Sequence, residues 1–386
     1  MMPRILVNAT TLIVGGGVQV GVSFIEYASK LDKSRFNFLF AVSENIYKNL
    51  PKKLQEDSRV YEVVVSPSRI FKGHRSRLLL KKLEKKYQPN VIYSLGFPSY
   101  VRFNQQEIGR YTNPWEIFPN SLAWGTMPLV ERINVILKTQ YRLLWARSAD
   151  FLETQTEAAK SGIIKKLKIP SDRVKVIPNS PNPRFLNDKD TKFADNGINR
   201  CKNIFCLSAA YRHKNLKIIP EVAEILKNNY GRSDFHFLLT LPFDCRIYRE
   251  IVELSKRLNV CEMVENIGPL SLDRCVEQYK KIDLVFLPTL LEVFSATYVE
   301  AMAMSKPIVT TDLDFSRSVC RNAAIYYEAA SPTAAAKSIL SVSNNKALYA
   351  ELIEYGRKQL STFPSSEKKH EMILEWLREV VEHNGA

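Results

Sequence analysis

The chain has 386 residues, 45% of them apolar, and carries 55 Lys and Arg against 40 Asp and Glu for a net charge of +15. That length allows two full-sized cores, and no apolar run reaches the roughly 18 residues that would carry a helix through a bilayer. The six cysteines (Cys201, Cys206, Cys245, Cys261, Cys275 and Cys320) form no C-x-x-C pair. This argues against zinc modules and disulfide frameworks and for buried free thiols in a reducing compartment.

The amino terminus passes from Met-Met-Pro-Arg straight into RILVN (4–8). With one basic residue and glycines in place of a cleavage site, it reads as a first strand rather than a secretory signal, and the protein as cytoplasmic. Further strand signals follow at 36–43, 60–66, 90–96, 149–156 and 174–179, with helical periodicity at 18–31 and 75–87 between several of them. Such alternation predicts a parallel, doubly wound sheet. The polar run LNDKDTKFADNGINRCKN (186–203) reads as an interdomain linker. A second series then begins, with strands at 204–209, 235–241, 283–289, 307–312 and 323–328 and helices at 216–229, 247–258, 272–281 and 333–342. The tail 365–383 has Met372, Ile373, Trp376, Leu377 and Val380 at helical spacing, with Ser365 or Ser366 as N-cap, and reads as a packing helix.

Charge is uneven. Residues 1–190 hold 30 Lys and Arg against 16 Asp and Glu, whereas the remainder holds 25 against 24. The first half is therefore the one expected to meet something anionic. GHRSRLLLKKLEKKYQ (73–88) is a basic helix that could lie on an anionic membrane surface or simply present a solvated face. MPLVERINVILKTQYRLLWAR (127–147) is similarly apolar and basic. No aromatic–basic RNA signature accompanies them.

Three loop–helix junctions carry anion-binding residue types. VGGGVQVGVSFIEYA (14–28) lets backbone amides approach a ligand at a helix N-terminus, although it is neither G-x-G-x-x-G nor a P-loop; a tight strand–helix turn is the other reading. LSAAYRHKNLKII (207–219) sets Arg212, His213 and Lys214 at the carboxyl edge of a sheet, where such folds bind ligands and where Lys and Arg suit phosphate oxygens; a solvated basic loop is the alternative. The third junction is LLEVFSATYVEAMAMSKPIV (290–309). Ser295 could cap its helix, leaving amides near 295–297 to receive an anion. Glu300 fits either a ligand contact or a capping box with Thr297, whereas Glu292 lies in the loop itself. Two D-x-D patterns, at 188–190 and 312–314, have the form of metal-holding pairs but stand in the linker and just past a strand.

Glu292 to Glu300 is E-x7-E, followed by AMAMSKPIVTTD. Together with the glycine loop at 15–17, ADFLETQTEAAKSGIIKKLKIPSDRVKVIPNSPNPRF (149–185), YRHKN (211–215) and VENIGPLSLDRCVEQYKKIDLVFLPT (264–289), this resembles the retaining glycosyltransferases of family 4. The resemblance implies the GT-B fold: two Rossmann-like domains facing each other across a cleft. Residues 1–188 would bind the acceptor, 189–364 would bind the nucleotide sugar, and the terminal helix, about 365–386, would pack back on the first domain. It implies that Glu292 approaches the donor sugar's hydroxyls, that Glu300 hydrogen-bonds the ribose, and that Lys214 holds the diphosphate with amides of Phe294, Ser295 and Ala296. Ile267 and Gly268 would contact the base, and Gly16 and Gly17 would face the diphosphate and acceptor.

The chain departs from the family at Ala210, where relatives carry an arginine for which Arg212 is the substitute, and at Val293 and Ser305, where they carry glycine. The first-domain histidine has no match. YTNPWE (111–116) occupies its region, with Asn113 as the acceptor contact. The implied reaction is metal-independent hexosyl transfer from a UDP- or GDP-sugar, with no cofactor, to a glycan or lipid-linked oligosaccharide. This is the chemistry of bacterial surface polysaccharides, with peripheral contact at the inner membrane face through the basic domain and no nucleic acid. A nucleotide-sugar epimerase of the same fold and a basic membrane- or nucleic-acid-binding module are the competing readings.

Overall fold

The computed structural model describes residues 2–32, 34–119, 121–147, 150–186 and 202–383. Nearly all of the expected linker, with Cys201 and the 188–190 D-x-D pattern, lies outside the described residues.

Seven strands form the first sheet: β1 (Arg4–Ala9), β2 (Asn37–Ser43), β3 (Val60–Val63), β4 (Val91–Ser94), β5 (Glu107–Arg110), β6 (Phe151–Thr154) and β7 (Val174–Val176). Their order is β3-β2-β1-β4-β5-β6-β7, parallel throughout. Six more form the second: β8 (Asn203–Cys206), β9 (His236–Leu239), β10 (Val264–Asn266), β11 (Leu284–Leu287), β12 (Ile308–Thr311) and β13 (Ala324–Tyr327). Their order is β10-β9-β8-β11-β12-β13, again parallel. Both sheets reverse direction of growth beside their first strand. This places a topological switch point between β1 and β4 and another between β8 and β11.

Strand residues alternate between two cores. Ile5, Val7 and Ala9 of β1 face the core closed by helix Gly16–Lys30 and by Ile373, Leu374, Trp376, Leu377 and Val380 of helix Ser366–His383. Leu6 faces the opposite core, with Leu80 and Leu83 of helix His74–Tyr87. Leu80 and Leu83 are thus spent on the helix's own domain, while Leu78 stays 57% exposed. In the second sheet Ile204 and Cys206 face one core and Phe205 the other.

The chain divides into two compact units. One comprises Met1–Ile117, Asn134–Pro178 and Glu367–Ala386; the other comprises Phe118–Ile133 and Asn179–Ser366. The division falls at 178/179 rather than 188/189, and residues 118–133 group with the second sheet.

Two strands escape a search for apolar runs. β10 is the short VEN, and β5 is EIGR, all four residues buried. Glu107 of β5 is accommodated because the hydroxyls of Ser94 and Ser99 donate to its carboxylate at 2.5 and 3.2 Å, and burial pushes its acid up to about 7. At the other end of β5, Arg110 donates from Nε to Glu153 of β6 at 3.2 Å, while Tyr93 of β4 donates its hydroxyl to the same carboxylate at 2.5 Å. Glu153 is fully buried and Arg110 only 4% exposed. Lys369 of the terminal helix lies buried in the field of both, and burial holds its ammonium down to about 7.

Cys206, Cys275 and Cys320 are buried free thiols, whereas Cys245 is half-buried and Cys261 exposed, against the expectation of burial for those two. Among the described residues no helix is long and apolar enough to cross a membrane.

Candidate active site

Lys214 follows β8 and Glu292 follows β11, the strands flanking the second switch point. After β8 the chain makes a 3-10 turn, Arg212–Lys214, in which Lys214 N–H donates to the Tyr211 carbonyl at 3.0 Å. Asn215 ends the turn in the left-handed region at φ 53°, a conformation asparagine tolerates better than most residues. Leu216 and Ile218 then anchor the segment in the core.

The loop after β11 is tied to this turn through the backbone, Leu290 N–H donating to the His213 carbonyl at 2.8 Å. Leu290, Leu291 and Val293 are buried, which turns the intervening Glu292 the other way. The result is direct contact between the Lys214 ammonium and the Glu292 carboxylate, side chains 17% and 13% exposed. Burial pulls Lys214 down to about 8, and the adjoining carboxylate opposes that pull. Beside them the His213 ring stacks on Tyr211 at 5.4 Å, and burial drives it down to about 3, so it is neutral at ordinary pH.

Helix Ala296–Ala303 begins directly after this loop. Ser295 occupies its N-cap but makes no side-chain cap hydrogen bond, so the first-turn amides keep the positive end of the helix uncovered by a side chain. The capping box does not form. Glu300 lies a turn further on, its carboxylate receiving the Tyr279 hydroxyl at 3.4 Å, and burial raises its acid to about 7. Phe294 packs edge-on against Phe363. Lys306 is structural: its ammonium donates to the Ile282 carbonyl at 2.7 Å.

Arg212 sits on the same turn as Lys214 but is committed elsewhere. Its guanidinium grips Glu250 bidentately at 2.5 and 2.8 Å and reaches Glu131 at 3.3 Å. The pairing holds Glu250 down to about 2. A diphosphate would have to compete with two carboxylates for this group, whereas at Lys214 it competes with one.

At the end of β10, Asn266 clamps the segment after β9. Its Oδ1 accepts from Leu241 N–H at 2.9 Å and its Nδ2 donates to the Leu241 carbonyl at 3.0 Å. Ile267 N–H extends the ladder to the Leu239 carbonyl at 2.9 Å. Gly268 has φ +76°, and a Cβ there would approach the Phe243 ring to 2.8 Å. Glycine thus lets this backbone lie against an aromatic ring that is 62% exposed.

In the first unit, Gly15 takes φ +64° and Gly16 and Gly17 open helix Gly16–Lys30. A Cβ at Gly16 would meet nothing, while one at Gly17 would press Leu12 at 3.1 Å. Asn113 caps a short helix, its Oδ1 accepting from Trp115 N–H at 3.2 Å. Asp312 of the second D-x-D pattern pairs with Arg317, and Asp314 opens helix Asp314–Cys320. Among the described residues no three His, Cys, Asp or Glu side chains gather as metal ligands.

The meeting of Lys214 and Glu292 follows from strand order, β8 lying beside β11. Sequence reasoning missed Tyr279, Glu250, Asn266 and Phe243. Of these only Asn266 carries a local signal, a turn-forming residue at a strand end before glycine.

Residues 188–359 match the family described as glycosyl transferases group 1. The D-inositol 3-phosphate glycosyltransferase of Nocardia farcinica is 27% identical over 109 residues, 28% of this chain and 24% of that protein. The O-antigen chain mannosyltransferase RfbU of Salmonella typhimurium is 23% identical over 197 residues, 50% of this chain and 52% of that one. The match thus spans about half or less of the length of these curated relatives. Among solved structures, Anabaena Alr3699/HepE in complex with UDP and glucose superposes with a TM-score of 0.68 at 14% identity, over 98% of this chain and all of that one. Residues 188–359, somewhat less than half of the chain, thus resemble the glycosyl transferases group 1, within a chain of GT-B fold.

Proposed function

We propose that the protein is a retaining, family 4 glycosyltransferase. It moves a hexose from a nucleoside-diphosphate sugar to a hydroxyl of a glycan acceptor in bacterial surface polysaccharide synthesis. The observation that carries this is the Lys214–Glu292 contact at the switch point, beside a helix start without a side-chain cap. The O-antigen mannosyltransferase and the UDP–glucose complex among its relatives support the donor and product classes.

Lys214 and Glu292 neutralise one another while the site is empty. A bound donor separates their tasks: the diphosphate takes Lys214 and the first-turn amides, and the sugar hydroxyls take Glu292. Cleavage of the sugar–phosphate bond builds charge on the leaving diphosphate, and a preorganised ammonium and oriented amides stabilise that charge without a metal. The acceptor hydroxyl attacks from the face the diphosphate leaves, giving its proton to the departing phosphate. Arg212 acts through the turn it shares with Lys214, and Glu300 receives the ribose.

The test pairs UDP-, GDP- and dTDP-sugars with lipid-linked and soluble acceptors and reads the new anomeric centre by proton NMR. Retention of the donor's configuration is expected. An inverted product contradicts the retaining assignment, and isomerised nucleotide sugar without acceptor identifies an epimerase.

Donor affinity should follow a bell, highest between about pH 7 and 8. Glu300 must be ionised to accept from ribose, so affinity falls about tenfold per unit below its pKa of about 7. Lys214 must be protonated to hold diphosphate, so affinity falls as steeply above its pKa of about 8. Calorimetric titration across the range should show Glu300→Gln flattening the acid limb and Lys214→Arg the alkaline one.

A further inference from the structure

The Glu300 carboxylate has one hydrogen-bond partner among the described residues, the Tyr279 hydroxyl, 3.4 Å from Oε2. Its other oxygen, Oε1, takes none. The buried carboxylates of the first unit differ: Glu107 receives two serine hydroxyls, and Glu153 receives a tyrosine and an arginine. A carboxylate withdrawn from water with one oxygen held and the other open is arranged for a further donor.

Tyr279 is itself fixed. It lies fully buried on helix Leu272–Lys281, whose N-cap Ser271 accepts from Arg274 N–H at 3.4 Å. Phe205 of β8 and Phe185 meet its ring edge-on, at 5.3 and 5.6 Å and at 85° and 84°. These contacts set the ring plane and so the direction of the hydroxyl. Tyr279 thereby links β8, the strand leading to Lys214, with helix Ala296–Ala303.

No cation shares the task among the described residues. Arg184, beside Phe185, pairs with Asp273, Arg357 of helix Lys346–Leu360 donates to Ser305, and Lys306 holds the Ile282 carbonyl. The other titratable group facing Glu300 is Cys275, one turn before Tyr279, a thiol that burial pushes up to about 12 and so keeps neutral. The aim of Glu300 therefore depends on one phenol.

We propose that Tyr279 is a positioning residue of the nucleotide site: by holding Oε2 of Glu300 it aims Oε1 at the ribose hydroxyls. The inference rests on the reading of Glu300 as the ribose contact. The same hydrogen bond favours the ionised carboxylate, so Tyr279 also lowers the pH below which the contact is lost.

The test titrates UDP, GDP and their 2′,3′-dideoxy analogues into the full chain by calorimetry across the acid limb. Tyr279→Phe keeps the ring and both edge contacts, so it should melt close to wild type. It should bind the ribonucleotide about tenfold more weakly, with the acid limb moved to higher pH, and bind the dideoxy analogue as wild type does. In a Glu300→Gln background the same substitution should weaken binding no further. Full ribonucleotide affinity in Tyr279→Phe, while Glu300→Gln loses it, overturns this proposal alone. So does a loss in Tyr279→Phe that is as large for the dideoxy analogue, or an acid limb that does not move. Wild-type affinity in Glu300→Gln instead removes the ribose reading beneath it, and absence of nucleotide binding to the wild type removes both.

Discussion

Lys214→Ala should lower kcat/KM for the proposed sugar transfer by about 10³, or ~4 kcal/mol of transition-state stabilisation, when nucleoside diphosphate release is followed. The size follows from position. Lys214 is mostly buried, so its charge acts where water screens it least, and in the proposed reaction it would meet the diphosphate as negative charge develops there. Arg212 cannot take over, because Glu250 and Glu131 hold its guanidinium. The substitution also leaves Glu292 partly buried without its cation, so the variant should melt lower. Lys214→Arg, which keeps the charge, should recover part of the rate. A Lys214→Ala variant with the wild-type rate would remove this residue from the mechanism.

Glu153→Ala should destabilise the first unit by about 3–5 kcal/mol, the range for breaking a buried ionic cluster by removing one partner. The carboxylate is fully buried and receives Tyr93 and Arg110, so three neighbouring strands meet at it. Without it Arg110 and Lys369 face each other in the interior with less compensating charge, and Lys369, already held down to about 7, is pushed lower. The midpoint of denaturant unfolding should fall accordingly. Glu153→Gln, which keeps a hydrogen-bond acceptor but no charge, should fall between. A loss below about 1 kcal/mol for Glu153→Ala would show that the cluster is a minor contributor.

Legibility in the sequence tracked burial. Strands buried on both faces, such as LVFL in β11 and IVTT in β12, announce themselves as apolar runs between helical periods. β5 does not, because two of its four residues are charged and are satisfied by Ser94, Ser99 and Glu153, which no window around 107–110 contains. The same limit applies at the site. The E-x7-E spacing singles out Glu292 and Glu300, but it cannot say that Lys214, 78 residues earlier, touches the first of them. That contact depends on β8 lying beside β11. The capping-box pattern at Thr297 was misleading for a local reason: the helix starts at Ala296, which puts Glu300 too far along to reach back to its start. The pairing of Arg212 has no local signal, because Glu250 is 38 residues away on another helix.

The turn after β8 and the helix start after β11 make up the proposed nucleoside-diphosphate site. It is tested most directly by titrating UDP and GDP into the wild-type chain and Lys214→Ala by calorimetry near pH 7.5, with melting temperature as a second readout. One nucleotide should bind the wild type and raise its melting temperature, and the alanine variant should lose at least about tenfold in affinity. No binding of either nucleotide at millimolar concentration, or equal affinity in the two proteins, would contradict the account.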